Sequence, residues 1–359
     1  MNIFGRYLLR NIFIGFAAAA GLLIPLFTTF NLINELDDVS PAGYHWTQAV
    51  LVVLMTLPRT LIDLGPFIAL LGGIVGLGIM SKNLELTAIR TVGYSIFRIA
   101  MVMLCAGVLL TAALGALDEW GASGLQQRAL QLKNTAMAKD PDNTSTSNML
   151  WARRDNQFVT VKTLDAQHQP VGVEIFTYNP DLSLDTYIFA KSATIQGDGS
   201  WLLRGVNQKK WANRKETVST MATMTWRSIF TNMSLEELTM PGDSFSIRQL
   251  NRYIHYLENT GQPNNEFRIA LWQKLGRPLL TLAMILLAIP FTFSAPRAPG
   301  MGSRLAVGVI VGLLTYISYQ IVVNLGLLLS LNVPLTTLLP PAIILAIALA
   351  LVYRFDKQH

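Results

Sequence analysis

From Leu305 to Tyr353 the chain runs for 49 residues without a charged side chain. As a single α-helix that run would be about 74 Å long, more than twice the roughly 30 Å hydrocarbon core of a bilayer. It has to turn back. Ser330-Leu331-Asn332-Val333-Pro334, where polar residues and a proline interrupt the apolar sequence, marks the turn. Four more uncharged runs, Asn11 to Asn34, Leu64 to Ser81, Ile99 to Leu117 and Pro278 to Pro296, each suit one crossing. The sequence therefore predicts six transmembrane helices.

Charged residues make up only 14% of the chain, and they are unevenly placed. Residues 118 to 268 hold 16 Lys and Arg against 16 Asp and Glu, while the other 208 residues hold 12 against 6. The net charge of +6 thus comes from the apolar parts, which reads as membrane topology rather than as a nucleic-acid surface. Arg6, Arg10, Lys82, Arg90, Arg98, Arg297, Arg304, Arg354 and Lys357 flank the spans on one side; the short loops on the other side carry neither Lys nor Arg. Both termini are expected in the cytoplasm, with the charge-balanced block outside. Ala18-Ala19-Ala20 resembles a signal-peptide cleavage site, but the apolar run continues to Phe30, so an uncleaved first span is expected. Thr47 to Met80 is too long for one span. With Pro58-Arg59 dividing it, either its helix projects from the bilayer or residues 47 to 57 lie along the outer surface.

The outer block, from about 149 to 232, reads as strands. Gln157 to Lys162, Gly172 to Tyr178 and Tyr187 to Ile195 are rich in Val, Ile, Phe, Tyr and Thr; Asn179-Pro180 and Gly197-Asp198-Gly199-Ser200 supply turns. An antiparallel sandwich or roll follows. Ser246 to Asn259 instead has helical spacing at Ile247, Leu250, Tyr253, Ile254 and Leu257, with Gly261 and Pro263 as its stop.

Catalytic signatures are missing. The chain has no GxxxxGK[ST], GxGxxG, HExxH or GxSxG motif, and its histidines, His45, His168, His255 and His359, show no metal-ligand spacing. The single cysteine, Cys105, excludes an intrachain disulfide and a CxxC motif. No enzyme, metal or cofactor is expected, and any uphill work needs a separate ATPase subunit. Asp63 and Arg59, four residues apart, read as a structural ion pair, and Asp118-Glu119 as a solvated helix end. The 81 to 94 loop is expected to form a short helix with Leu84, Ala88 and Ile89 on one side.

The architecture, together with several local motifs, resembles the LptF/LptG permeases of lipopolysaccharide export. The likeness spans nearly the whole chain: Arg6-Tyr7-Leu8, Glu85-Leu86 to Gly93, Leu150-Trp151-Ala152 with Phe158-Val159, Phe245-Ser246-Ile247 through Tyr253 and on to Gly261, Trp272-Gln273-Lys274 with Pro278, Pro296-Arg297, Met301-Gly302, Arg304, Tyr316, Gln320 and Pro340. The resemblance implies a fold of six transmembrane helices with an inserted periplasmic antiparallel β-jellyroll, divided at 1–117, 118–268 and 269–359. It implies an ABC-transporter permease subunit that extracts lipopolysaccharide from the inner membrane. Its partners would be an LptF permease, two copies of the LptB ATPase, and LptC with its membrane helix and jellyroll. The 81 to 94 loop then becomes a coupling helix, with Leu84, Glu85, Ala88, Ile89 and Arg90 facing the ATPase.

A cavity for such a lipid needs apolar walls with cations at the height of the phosphates. Arg59, Arg128, Lys133 and Lys274, at the outer ends of spans two to four, are the candidates; snorkelling to headgroups or local pairing is the plainer role for each. Val159, Val161, Ile175 and Ile195 are the candidate inward positions of a periplasmic lipid groove. The chain departs from the family late in span one and just after it, where Asn31-Leu32-Ile33-Asn34-Glu35-Leu36-Asp37-Asp38 stands in place of a stretch with lysines. The rival reading is a non-transporting membrane scaffold for an envelope complex; the small residues Gly72-Gly73, Gly76 and Gly78 inside span two favour moving helices instead.

Overall fold

The computed structural model describes residues 3–358 apart from 42, 138–149, 166–168, 182, 197–198, 213–214, 230–239, 260–263, 294–300 and 330. The proposed helix stop at Gly261 and Pro263, the Arg297 loop, His168, His359 and the tip of the Gly197-Asp198 turn lie outside the described residues.

In chain order come α1 (Ile3–Asp37), α2 (Trp46–Asp63), α3 (Gly65–Lys82), α4 (Glu85–Thr91) and α5 (Ile96–Leu117). A π-helical turn, Asp118–Ala122, joins α5 to α6 (Ser123–Met137). Strands β1 (Leu150–Arg154), β2 (Gln157–Leu164), β3 (Pro170–Tyr178), β4 (Leu184–Ile195), β5 (Ser200–Ala212) and β6 (Lys215–Arg227) follow. The chain closes with α7 (Ile247–Asn259), α8 (Asn265–Phe293), α9 (Met301–Leu328) and α10 (Val333–Gln358). Among the described residues six helices are long and apolar enough to cross a membrane: α1, α3, the α5–α6 rod, α8, α9 and α10. The 49-residue run does turn back, between α9 and α10.

Helix α3 is apolar all round, and such a helix must be buried on every side. It packs between α1 and α8, with Ile68, Leu70, Ile74 and Leu77 sealed in the bundle core. Close approach of α1 to α3 depends on glycine: a Cβ on Gly76 would lie 2.8 Å from the Asn11 carbonyl oxygen. The long run from Thr47 to Met80 is two helices, separated at Leu64. The break lies just before Gly65-Pro66, where a proline in the first turn of α3 costs no hydrogen bond, and Pro58 stays inside α2.

The β domain is an inserted antiparallel sheet, as expected, and each of its six strands pairs with the next along the chain. Its apolar side gathers Val159, Val161, Val173, Ile175, Leu203 and Val206 around Trp201 and Trp226, whose rings meet edge to face at 5.5 Å. Alternation does not run cleanly through it. At the row Gly172–Lys191–Gly205 both glycines take positive φ and the covered positions slip by one, from Ile188 and Ala190 to Ala193 in β4. Ile195, expected inward, shares the side of its cross-strand neighbour Trp201 but is the last residue of β4. It sits at the rim, where none of the described residues closes over it, and it is 40% exposed.

Candidate functional site

One end of the bundle collects α4 and both termini. The Tyr7 hydroxyl donates to Glu85 at 2.9 Å, the Phe4 ring lies 6.3 Å from that of Tyr94, and the Phe97 amide donates to Asp356 at 3.2 Å. Helix α4 is seven residues long; Leu84, in the left-handed region, turns the chain into it. A leucine at positive φ is strained, and such a conformation persists only where the surrounding structure holds it. Leu86 enters the bundle core and Ile89 packs against that core. The sequence reading placed Ile89 beside Leu84 and Ala88, and the structure corrects it. The outward row is Leu84, Ala88 and Val92, with Leu84 69% and Val92 77% exposed. Glu85 is also held by Asn83 Nδ2 at 3.1 Å, and the Arg90 guanidinium lies 6.0 Å from the Phe293 ring centre.

The opposite end, from which the β domain is inserted, holds buried charges. Asp118 accepts from Lys274 Nζ at 2.6 Å and from Arg59 Nη1 at 3.2 Å, which joins the α5–α6 junction to α8 and α2. Arg59 Nε reaches Asp63 at 3.3 Å, the pair expected from the sequence, and Arg277 Nη2 reaches the same carboxylate at 3.0 Å. The side chains of Arg59, Asp118 and Lys274 are at most 9% exposed. Asp118, expected at a solvated helix end, is therefore a buried hub, because the π turn directs it into the bundle while its neighbour Glu119 caps α7 through the Ile247 amide at 3.2 Å. Three cations to two carboxylates leave the cluster one positive charge in excess.

A second group lies nearby in the chain fold. Lys133 on α6 contacts Glu35 at 2.8 Å and Asp38 at 2.6 Å, so the acidic stretch after α1 holds a lysine from another helix. The Tyr44 hydroxyl donates to Glu35 at 2.9 Å, and burial, followed by this carboxylate, pushes the phenol well above its ordinary range. Of the four basic residues singled out from the sequence, Arg59 and Lys274 are brought together, Lys133 is paired elsewhere, and Arg128 is exposed on α6. Sequence reasoning missed Arg277 as a member. Its spacing of three from Lys274, on one face of α8 just ahead of the uncharged run of span four, was the available signal. Val159, Val161 and Ile175 are 0 to 1% exposed and lie inside a filled core. Among the described residues no three His, Cys, Asp or Glu side chains gather as a metal site.

Six spans, an inserted β domain and a short helix offering an apolar row at one end define a multi-pass membrane protein. The family model described as lipopolysaccharide export system permease LptF/LptG matches residues 6–354. The chain is 27% identical over 355 residues to the lipopolysaccharide export system permease protein LptG of Escherichia coli (strain K12), covering 98% of both chains. It is 26% identical over 322 residues to the LptG of Haemophilus influenzae, covering 89% of this chain and 90% of that one. The chain belongs to the LptF/LptG family of inner-membrane lipopolysaccharide export permeases.

Proposed function

We propose that this chain is the permease subunit that pairs with an LptF-type partner to extract lipopolysaccharide from the inner membrane. Two copies of an LptB-type ATPase drive it, and an LptC-type helix contributes to the gate. The termini and α4 face the cytoplasm, and the β domain faces the periplasm. The observation that carries the reading is the Leu84, Ala88 and Val92 row, which a strained leucine turns outward at the end bearing both termini. An apolar row of this kind on a helix otherwise anchored by Leu86 and Glu85 is a surface for an ATPase groove.

In the same reading Arg128 meets lipid phosphate directly, since it is exposed at the β-domain end. Arg59 and Lys274 reach phosphate only if their contacts to Asp118 open, and Lys133 only if it leaves Glu35 and Asp38. A lipid path between the strands requires that the core around Val159, Val161 and Ile175 part.

The test uses the assembled transporter in proteoliposomes. Leu84→Glu with Val92→Glu should abolish ATP-dependent lipopolysaccharide release while the purified subunit keeps its unfolding temperature. Release at the parental rate would overturn the coupling role.

A further inference from the structure

An antiparallel sheet that keeps its apolar core on one side presents polar residues on the other. The β domain departs from this. Opposite the core around Trp201 and Trp226, one cross-strand row reads Arg153, Phe158, Phe176, Tyr187, Lys209 and Val218, one residue from each of β1 to β6. The rings of Phe176 and Tyr187 lie 5.0 Å apart, Tyr178 meets Phe158 edge on at 5.5 Å, and the Arg153 guanidinium lies 5.0 Å from the Phe158 ring centre. The adjoining row, Trp151, Thr160, Glu174, Phe189 and Asn207, mixes rings with hydrogen-bonding groups. Trp151 is 54% exposed, and Phe158, Phe176, Tyr187 and Phe189 are half-buried. One row further on, Lys162 and Lys191 lie over Gly172 and Gly205, where a Cβ would come within 2.9 and 3.1 Å of the lysine stems. Both lysines are exposed and neither forms an ion pair among the described residues, whereas Lys209 is paired with Glu216 at 3.0 Å. Cross-strand pairing stabilises a sheet and accounts for Phe176 against Tyr187. It does not account for a whole aromatic strip on the outer side of a domain whose core is already filled.

We infer that this face binds the anionic sugar chain of lipopolysaccharide as the lipid leaves the membrane. The C–H side of a pyranose lies on the negative face of an aromatic ring. Strands stand about 4.8 Å apart, so Phe158 to Tyr187 spans about 10 Å, room for consecutive sugar rings. Hydrogen-bonding capacity remains between the rings. Asn207 accepts from Thr220 at 3.2 Å, which leaves its amide nitrogen to donate; Glu174 accepts from the Tyr187 hydroxyl and keeps further lone pairs; Thr160 adds a hydroxyl. Acyl chains would leave these groups without partners, and an uncharged glycan would leave Lys162 and Lys191 unused, whereas phosphate or carboxylate on the sugar meets both lysines. The source of the sugar rests on the lipopolysaccharide reading; the face itself follows from the strand register.

The experiment titrates full-length protein calorimetrically with lipopolysaccharide stripped of its acyl chains, so that the sugar alone is read. The parent should bind it. Phe158→Thr with Phe176→Thr should weaken binding at least tenfold, with threonine keeping strand propensity and the unfolding temperature reporting the fold. Lys162→Gln with Lys191→Gln, at exposed positions, should weaken it about tenfold and flatten its salt dependence. No binding by the parent, or unchanged affinity in the lysine pair, overturns the proposal. Equal affinity for uncharged dextran overturns the anionic assignment, and tighter binding of cell-wall glycan fragments overturns the source. ATP-dependent release of intact lipopolysaccharide by the assembled transporter is measured alongside. Release without sugar binding overturns this proposal alone, whereas sugar binding without release overturns the extraction role and, with it, lipopolysaccharide as the source.

Discussion

At the β-domain end, Asp118 lies between Arg59 and Lys274, so one carboxylate ties three helical segments that are far apart in the sequence. At the other end, α4 is tied to α1 by the Tyr7–Glu85 hydrogen bond and to the bundle by Leu86, and its apolar row faces outward. Removing one member of a buried charge set leaves the rest desolvated and unpaired, which is costly. Removing a member of the outward row leaves the fold nearly as it was and takes away a surface. The contrast teaches that buried charge pairing and an exposed apolar row are placed at opposite ends of one bundle, so a substitution's consequence should depend on which end it strikes.

The largest expected effect is at the hub. Asp118→Ala should destabilise the protein by about 3 to 5 kcal/mol, read as a lowered unfolding temperature in detergent, because two buried cations lose their carboxylate. Lys274→Met should cost less than half of that, since Arg59 still neutralises Asp118 and the methionine fills similar space. Equal losses for the two variants would mean that Asp118 is not the hub. Midway along the bundle, Gly15→Ala would set a methyl against the Gly72 carbonyl and the Gly76 amide, forcing α1 from α3 at a cost of about 1 to 3 kcal/mol. Gly21→Ala on the same helix meets nothing and should be neutral or slightly stabilising. At the terminal end, Glu85→Gln should change stability by less than about 1 kcal/mol, the size of a carboxylate's interaction with a helix start. Glu85→Lys should leave the bundle folded but detach the ATPase in a pull-down. A large stability loss from Glu85→Gln would erase the distinction between the two ends.

The smallest effect is one of pH. The Tyr44 phenol is raised above its ordinary 10.0 by burial and by Glu35, so its contribution is fully present below that value and is lost as the pH climbs through the raised one. In a spectrophotometric titration of phenolate, the difference between the parent and Tyr44→Phe should contain no transition near the ordinary value.

The spans and the inserted β domain were legible because a bilayer imposes a length and a polarity that uncharged runs report directly. The strands between Gln157 and Ile195 were legible from side-chain type, and β1 and β6 were not, because Arg153, Arg154 and the Thr-rich stretch from Lys215 carry no clear alternation. Ile195 misled because alternation says which side a residue points to and not whether the sheet extends far enough to cover it. Asp118 was missed for a different reason: its partners lie 59 and 156 residues away, and no local pattern encodes a contact of that separation. The same holds for Lys133, whose partners lie back beyond four helices in the chain order.

The π turn at Asp118–Ala122 is in effect one extra residue threaded into an otherwise continuous 42-residue helical rod. Deleting a residue there would restore α geometry but rotate everything beyond it by about 100° around the rod's axis. Arg128 and Lys133 would then swing away from the side they now occupy, and Lys133 would leave Glu35 and Asp38 without any side chain having been replaced. Angular phase along this rod is thus set by residue count, so that sequences of this kind should tolerate exchange of the turn residues beyond Asp118 and Glu119 far better than a change in its length.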